Sequence, residues 1–385
     1  MSIFYAKNNY INILFTNLYK IILSASYMEH FYESFLVSTS DGLQCKVYSN
    51  NHPDGKIIVK PKYVPDDKIN LVGLKKRFVF SKSMFRFNLF NDMNIVNENL
   101  KEFKKVYPDY IYNSELHNNW FFVVPKDKIE RVYDPKIGLK ELMKIPESDL
   151  DDYLKSVTQL IKLILDSGVS LDDLGINHST LLGNYTPGKS DIDIVIYGKK
   201  NGWKVVEYMK NIVHPQIRWK SEEDWARYYT DRVVSKIYSK DEYVSNMVRK
   251  KDDGFFNNNV FSLFCVEEPN EVWYNWEDKH EPLATVKLTA KIKDNYNSIV
   301  RPGYYEIKDS KIIEGYENVD IKRIVTWSRP FVLQADNEEF IEACGLLEKI
   351  TPQSGESYYQ LVIGYMDSYN TERGEKEYLK VKKGN

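Results

Sequence analysis

Apolar and polar positions alternate in short runs along most of this chain. The period switches between two and three-to-four residues often enough to predict interspersed strands and helices. Between residues 30 and 135 the runs FLVST, QCKVY and KIIVKPKYV are separated by DG at 41–42 and NNHPDG at 50–55, a hairpin pattern. KKRFVFSKSMFRF follows, its basic and aromatic residues interleaved as in single-strand nucleic-acid binders, although a half-buried strand gives the same alternation. NLKEFKKVYPDYIY has helical spacing up to Pro108. Leu150, Leu154, Val157, Ile161 and Ile164 predict a helix that starts at a Ser148/Asp151 capping box and closes at Gly168. Further helices are predicted near GWKVVEYMKNIV and, as one long element, over SEEDWARYYTDRVVSKIYSKDEYVSNMVRKK. A strand VFSLFCV then begins at Val260. From about Leu283 onward, TVKLTAKI, YYEIK, IKRIVTW, FVLQA and YYQLVIGY read as short strands between turns, the pattern of an all-β barrel or sandwich.

Composition narrows this picture in three ways. At 385 residues the chain exceeds one ordinary core, and 43% hydrophobic residues with 29 Tyr and 7 Trp exclude a disordered protein. A net charge of -2 gives no global field for a nucleic acid, so such binding needs a local patch. Cys45, Cys265 and Cys344 are odd in number and far apart, which argues against disulfides or zinc and for a reducing cytoplasm. The six histidines have no metal-binding spacing. Residues 1–27 are apolar but interrupted by Asn12, Asn17 and Lys20. They read as a peripheral extension, translated from an upstream start codon, rather than a membrane span, and no membrane association is expected.

The chemistry concentrates in GINHSTLLGNYTPGKSDIDIVIYG, residues 175–198. In a strand, Asp191 and Asp193 share one face while Ile192, Ile194 and Ile196 share the other. Two half-buried carboxylates on one face need cations, and two Mg²⁺ ions would let them align a hydroxyl with a triphosphate. GNYTPGKS, Gly183 to Ser190, matches the Walker-type phosphate loop. That loop must be followed by a helix, whereas DIDIVIY reads as a strand. Ser190, at the end of the match, is kept as a nucleotide-binding candidate. The strand from Val260 supplies Ser262 and then Glu267 and Glu268 at its end. Arg249, Lys250 and Lys251 read as a helix end complementing its carbonyls, and WYNW at 273–276 as packing between the central and C-terminal parts.

The segment resembles the signature of the DNA polymerase β-type nucleotidyltransferases. His178 and Ser179 stand at the Gly-Ser position, eleven residues, Thr180 to Ser190, follow, and then come Asp191, Ile192 and Asp193. With YVPD at 63–66 and EPLATVKLTAKIKD downstream, the chain from 30 to 385 is similar to archaeal proteins described as predicted nucleotidyltransferases. The resemblance implies Asp191 and Asp193 as metal ligands, His178 and Ser179 at the phosphates, and Mg²⁺-dependent transfer of a nucleoside monophosphate to a hydroxyl of RNA, protein or a small molecule. It also implies a third acid, the general base, from a neighbouring strand, and Glu267 is the candidate for it. His178 replaces a glycine that lets the backbone approach phosphate closely. The alternative it leaves open is a catalytically silent fold that binds nucleotide or nucleic acid. The expected fold class is α+β or mixed α/β: an N-terminal α+β domain (28–145), a nucleotidyltransferase-like core (146–282) and a C-terminal barrel-like β domain (283–385).

Overall fold

The computed structural model describes residue Met28 and residues 30–79, 81–89, 92–232, 238–365, 368 and 371–382. The expected extension over 1–27 lies outside these residues. Three sheets carry the architecture.

The first sheet contains β1 (Leu36–Thr39), β2 (Gln44–Val47), β3 (Lys56–Pro65), β4 (Lys76–Val79), β5 (Lys82–Arg86), β6 (Ile111–Ser114), β7 (Asn119–Pro125) and β8 (Ile129–Tyr133). Its main path runs β4-β5-β3-β2-β1-β8, with β7 added to β3 and β6 to β7. Helix α1 (Met93–Val106) ends just before Pro108, which has no N–H to continue it, and buries Val96, Leu100 and Phe103 against this sheet.

The second sheet is ordered β11-β12-β13-β10-β9, from β9 (Leu174–Ile176), β10 (Ile192–Tyr197), β11 (Ile217–Trp219), β12 (Asp253–Phe256) and β13 (Asn259–Val266). Helices α2 (Pro135–Met143), α3 (Asp152–Leu165), α4 (His178–Leu181) and α5 (Lys199–Asn211) accompany it. The Asp151 carboxylate caps α3, accepting from the Leu154 amide at 2.8 Å, while Ser148 sits in a separate turn. Val157, Ile161 and Ile164 of α3, with Val205 and Met209 of α5, bury Ile192, Ile194 and Ile196 of β10.

The third sheet contains β14 (Lys279–Asp294), β15 (Gly303–Glu314), β16 (Ile321–Thr326), β17 (Phe340–Thr351), β18 (Tyr358–Ile363) and β19 (Tyr378–Val381). Because β14 pairs with both β15 and β17, five strands close into a ring and β19 extends from β17. Helices α6 (Glu222–Arg232) and α7 (Lys240–Val248) replace the single long helix expected over this region. A reciprocal Ser239/Glu242 capping box starts α7, and Trp225, Tyr243 and Met247 pack onto the third sheet. Tyr274 and Trp276 of WYNW pack in a core shared by the first and third sheets, not between the second and third.

These findings correct the expected α+β or mixed α/β class with a nucleotidyltransferase-like core. The described residues form three largely antiparallel sheets of eight, five and six strands with seven α-helices. Parallel pairing, the mark of strands joined by crossover helices, occurs between β10 and β13 and between β16 and β18. The sequence misleads because apolar runs that look like short separate strands fuse: β14 extends for 16 residues, straight through Pro282. No helix among the described residues is long and apolar enough to cross a membrane.

Candidate functional site

Strand β10 directs its isoleucines toward α3 and α5, so Asp193, Val195 and Tyr197 face the first sheet, where the Tyr197 and Ser34 hydroxyls lie 3.1 Å apart. Directly paired residues on neighbouring strands share a face. In the parallel ladder Asp193 pairs with Ser262 of β13, and in the next, antiparallel ladder Ser262 pairs with Asp253 of β12. A row Asp193–Ser262–Asp253 therefore crosses three strands, with the exposed Asp191 two positions before Asp193. The Ser262 hydroxyl donates to Asp253 Oδ1. This register is fixed by a two-residue turn in which Asn257 and Asn258 both have positive φ, 47° and 65°, as a twisted hairpin requires.

Opposite the row stands a set of half-buried cations drawn from strands of the first sheet and from segments flanking β15 and β16 of the third. Arg329 lies over the Phe264 ring at 3.9 Å, with Nη2 3.4 Å from Asp253 Oδ1 and 4.0 Å from Asp252 Oδ2. Lys46 of β2 lies over the same ring at 5.1 Å and pairs with Glu33 at 3.3 Å; Arg301 also pairs with Glu33. Lys62 of β3 reaches His178 Nδ1 at 2.9 Å. Arg86 of β5 keeps a buried Nη1 with no hydrogen-bond partner, a donor poised for an anion. A cavity of about 30 Å³ lies beside these groups, walled mainly by apolar residues such as Ile196, Val206, Leu263 and Ile299, with Glu33, Arg301 and Arg329 at its side; Asp193, Lys62 and His178 are not among its walls.

The crowding shifts several ionisations. Burial pushes the Asp193 carboxyl up to about 7, against the pull of Arg329 and Lys62 and with a further push from Asp191. Burial also raises Asp253, but Arg329, Lys220, the Ser262 bond and Lys250 outweigh it and hold that carboxyl below its ordinary value. Lys60 and Lys62 are each brought down to about 7, first by burial and then by neighbouring cations. Lys60 supplies a check with a definite sign. Between about pH 7 and its ordinary 10.5 the unfolded lysine holds a proton that the folded one has released, so stability rises with pH through this window. Urea unfolding of Lys60→Met is expected to show a flatter rise between about pH 7 and pH 10 than the wild type; parallel curves would refute the shift.

His178, at the position where the resemblance has glycine, adopts φ +52°, the left-handed conformation that glycine enters without cost. Its ring is held by Lys62 and packs edge-on to Phe264, with centroids 6.2 Å apart. Burial first, and then Lys62, Lys46, Arg86 and Arg329, push its ionisation well below the ordinary value, so the imidazole is neutral and accepts from the Lys62 ammonium. Ser179 is half-buried beside it, its carbonyl accepting from the Asn184 amide at 3.0 Å. Ser190 is used locally: its hydroxyl accepts from the Thr186 amide at 2.8 Å and closes the TPGKS turn. The residues after that turn form strand β10, and the next helix starts only at Lys199, so GNYTPGKS lacks the helix a phosphate loop needs. Glu267 lies five residues beyond Ser262, roughly 15 Å along the strand, where it pairs with buried Lys199 at 3.2 Å. Asp253, not Glu267, shares the face of Asp193. The signal for it was the Asn257-Asn258 turn, from which counting back gives Asp253 opposite Ser262.

An uncharacterized protein of Methanocaldococcus jannaschii is 27% identical to this chain over 359 residues, which span 90% of this chain and 98% of that one. No protein-family profile and no solved structure matches the chain.

Proposed function

We propose that the chain binds a Mg²⁺–nucleoside triphosphate where the three sheets meet and transfers the nucleoside monophosphate to a hydroxyl, releasing pyrophosphate. The observation that carries this reading is the row of Asp193, Ser262 and Asp253, with Asp191 beside it, facing Lys46, Lys62 and Arg329. Carboxylates suit a hard divalent ion, and the cations suit the phosphates that come with it. Mg²⁺ typically takes one or two protein carboxylates and fills its shell with phosphate oxygens and water. Among the described residues no group of three or more His, Cys, Asp or Glu is gathered to hold a metal ion, so phosphate oxygens and water would have to complete the shell.

Asp191 and Asp193 would hold the ion, whose bound charge would polarise the phosphoryl group and steady the leaving pyrophosphate. Lys62 and Arg329 neutralise the triphosphate, and His178 orients Lys62. Asp253, kept ionised by Arg329 and Ser262, accepts the proton as the hydroxyl oxygen bonds the α-phosphorus and the bond to pyrophosphate breaks. The buried free thiols of Cys45, Cys265 and Cys344 support a cytoplasmic setting.

The contact of Arg329 with Asp253 favours a second reading, binding without transfer. The two separate in a label-transfer assay with nucleotide labelled at the α-phosphate. Wild-type protein is expected to release pyrophosphate and fix label only with Mg²⁺. Asp253→Asn should lose about a hundredfold in rate while nucleotide affinity changes only a few-fold. Tight nucleotide binding by the wild type with no label fixed would establish the second reading.

A further inference from the structure

Apart from Arg86, the basic, aromatic segment that begins at β4 has no part in the transfer site. Between Lys75 and Phe87 the chain carries five cations, Lys75, Lys76, Arg77, Lys82 and Arg86, and no carboxylate, although the whole chain is nearly neutral. The segment folds into the β4–β5 hairpin, and β4 ends the path of the first sheet. Lys75, Lys76, Arg77 and Lys82 are exposed, and Phe78 among them is 78% exposed. Lysines on an edge strand commonly serve to block pairing with another chain. An aromatic ring standing in solvent works against that purpose, so edge protection does not account for the set.

The register ties this hairpin to the carboxylate site. The β2–β3 pairing shifts at Lys62, from Tyr63 opposite Gln44 to Pro61 opposite Cys45 and Lys60 opposite Lys46. Lys60 and Lys46 therefore share a face with Tyr63 and its partner Arg86, and not with Val64 and its partner Phe85, which pairs in turn with Lys76. Lys76 and Phe78 thus lie, with Phe85 and Val64, on the face turned away from the lysines that meet His178 and Asp193, whereas Arg77 and Lys82 lie on the side of those lysines, about two strand spacings, roughly 10 Å, from β3. Lys76 lies over the Phe85 ring at 4.9 Å on that far face and pairs there with Asp66 at 2.9 Å. Arg77 and Lys82 flank the hairpin on its other face. The result is a row of cations, Arg77, Lys82 and then Arg86, on the carboxylate side of the sheet, with an exposed ring on the edge strand beside it.

We propose that the β4–β5 hairpin docks a single-stranded nucleic acid, its phosphates on Lys75, Arg77 and Lys82 and a base on Phe78 across the edge strand, and that the strand's terminal hydroxyl is the acceptor. Evenly spaced cations with an exposed ring are the recognition chemistry of single strands, whose bases are free to stack. Only the acceptor role rests on the transfer reading; docking is measured without nucleotide or Mg²⁺.

The test is fluorescence anisotropy with labelled oligouridylate and oligothymidylate of equal length, at several salt concentrations. Both oligomers carry the shared chemistry, and a preference for RNA would assign a part to the 2′-hydroxyl. Phe78→Ala, an exposed substitution that leaves the fold in place, is expected to weaken binding about tenfold with the salt dependence unchanged. Replacing Lys75, Arg77 and Lys82 together by Ala is expected to reduce the slope of log affinity against log salt by up to about 0.7 for each phosphate that no longer meets a cation. Binding that survives in a wild type unable to transfer label would uphold the docking and remove the transfer reading. Unchanged affinity in both hairpin variants would overturn the proposal. So would a Phe78→Ala protein that binds normally while the charge variant loses RNA and heparin alike, because the patch would then be a general polyanion surface.

Discussion

Asp193→Asn is expected to lower Mg²⁺-dependent nucleotidyl transfer by on the order of a thousandfold while the protein stays folded. The amide matches the carboxylate in volume, so the strand and the Ser262 row keep their packing. What disappears is a negative charge that burial already disfavours, with its carboxyl raised to about 7. For an acid raised in this way the folded state holds the extra proton, so between its ordinary 3.8 and about 7 the wild type loses stability as pH rises. The amide has nothing to lose in that window. Loss of attraction for Lys62 and Arg329 works the other way, and the two effects offset. The melting temperature at pH 8 is therefore expected to stay within a few degrees of the wild type, which separates a chemical defect from a folding defect. Label transfer by Asp193→Asn at the wild-type rate would remove Asp193 from the reaction and the proposed function with it.

Legibility in the sequence followed the range of the interactions involved. The strand carrying Asp193 could be read because its alternation is local, and the same parity put Asp191 and Asp193 on one face. Asp253 needed one step more, a register carried through the Asn257-Asn258 turn. It was obscured by the basic Arg249-Lys250-Lys251 run, which reads as a helix end. The cations were beyond such counting. Lys62 and His178 are 116 residues apart, and Arg329 comes from a turn that follows β16 of the third sheet. Nothing local to a lysine says that a fold will bury it beside a carboxylate. The architecture is hidden for a related reason. Strand pairing partners are not encoded in apolar periodicity, so the closure of β14 onto both β15 and β17 could not be seen from the runs themselves.

The same long-range assembly makes Glu33→Ala the most destabilising single change expected outside the apolar core. Glu33 is 2% exposed and stands between Lys46 of the first sheet and Arg301, which precedes β15 of the third. Its removal leaves two buried cations facing each other without the charge between them, a loss of about 3–5 kcal/mol. Lys46 can shed part of this cost by giving up its proton, since burial and Arg301 already lower it. Glu33→Gln, which keeps the hydrogen bonds, should lose less. The variant has a second consequence with the opposite sign. An anion at the junction would meet Lys46 and Arg301 without competition from Glu33, so inorganic tripolyphosphate is expected to bind Glu33→Ala more tightly than wild type. Binding to the folded state alone stabilises by about 2.7 kcal/mol at a hundred times the dissociation constant, enough to restore most of what the substitution removes. Urea unfolding of both proteins with and without tripolyphosphate measures the two effects together. A variant that is destabilised but not rescued would show that Lys46 and Arg301 hold the sheets together without forming part of a phosphate site.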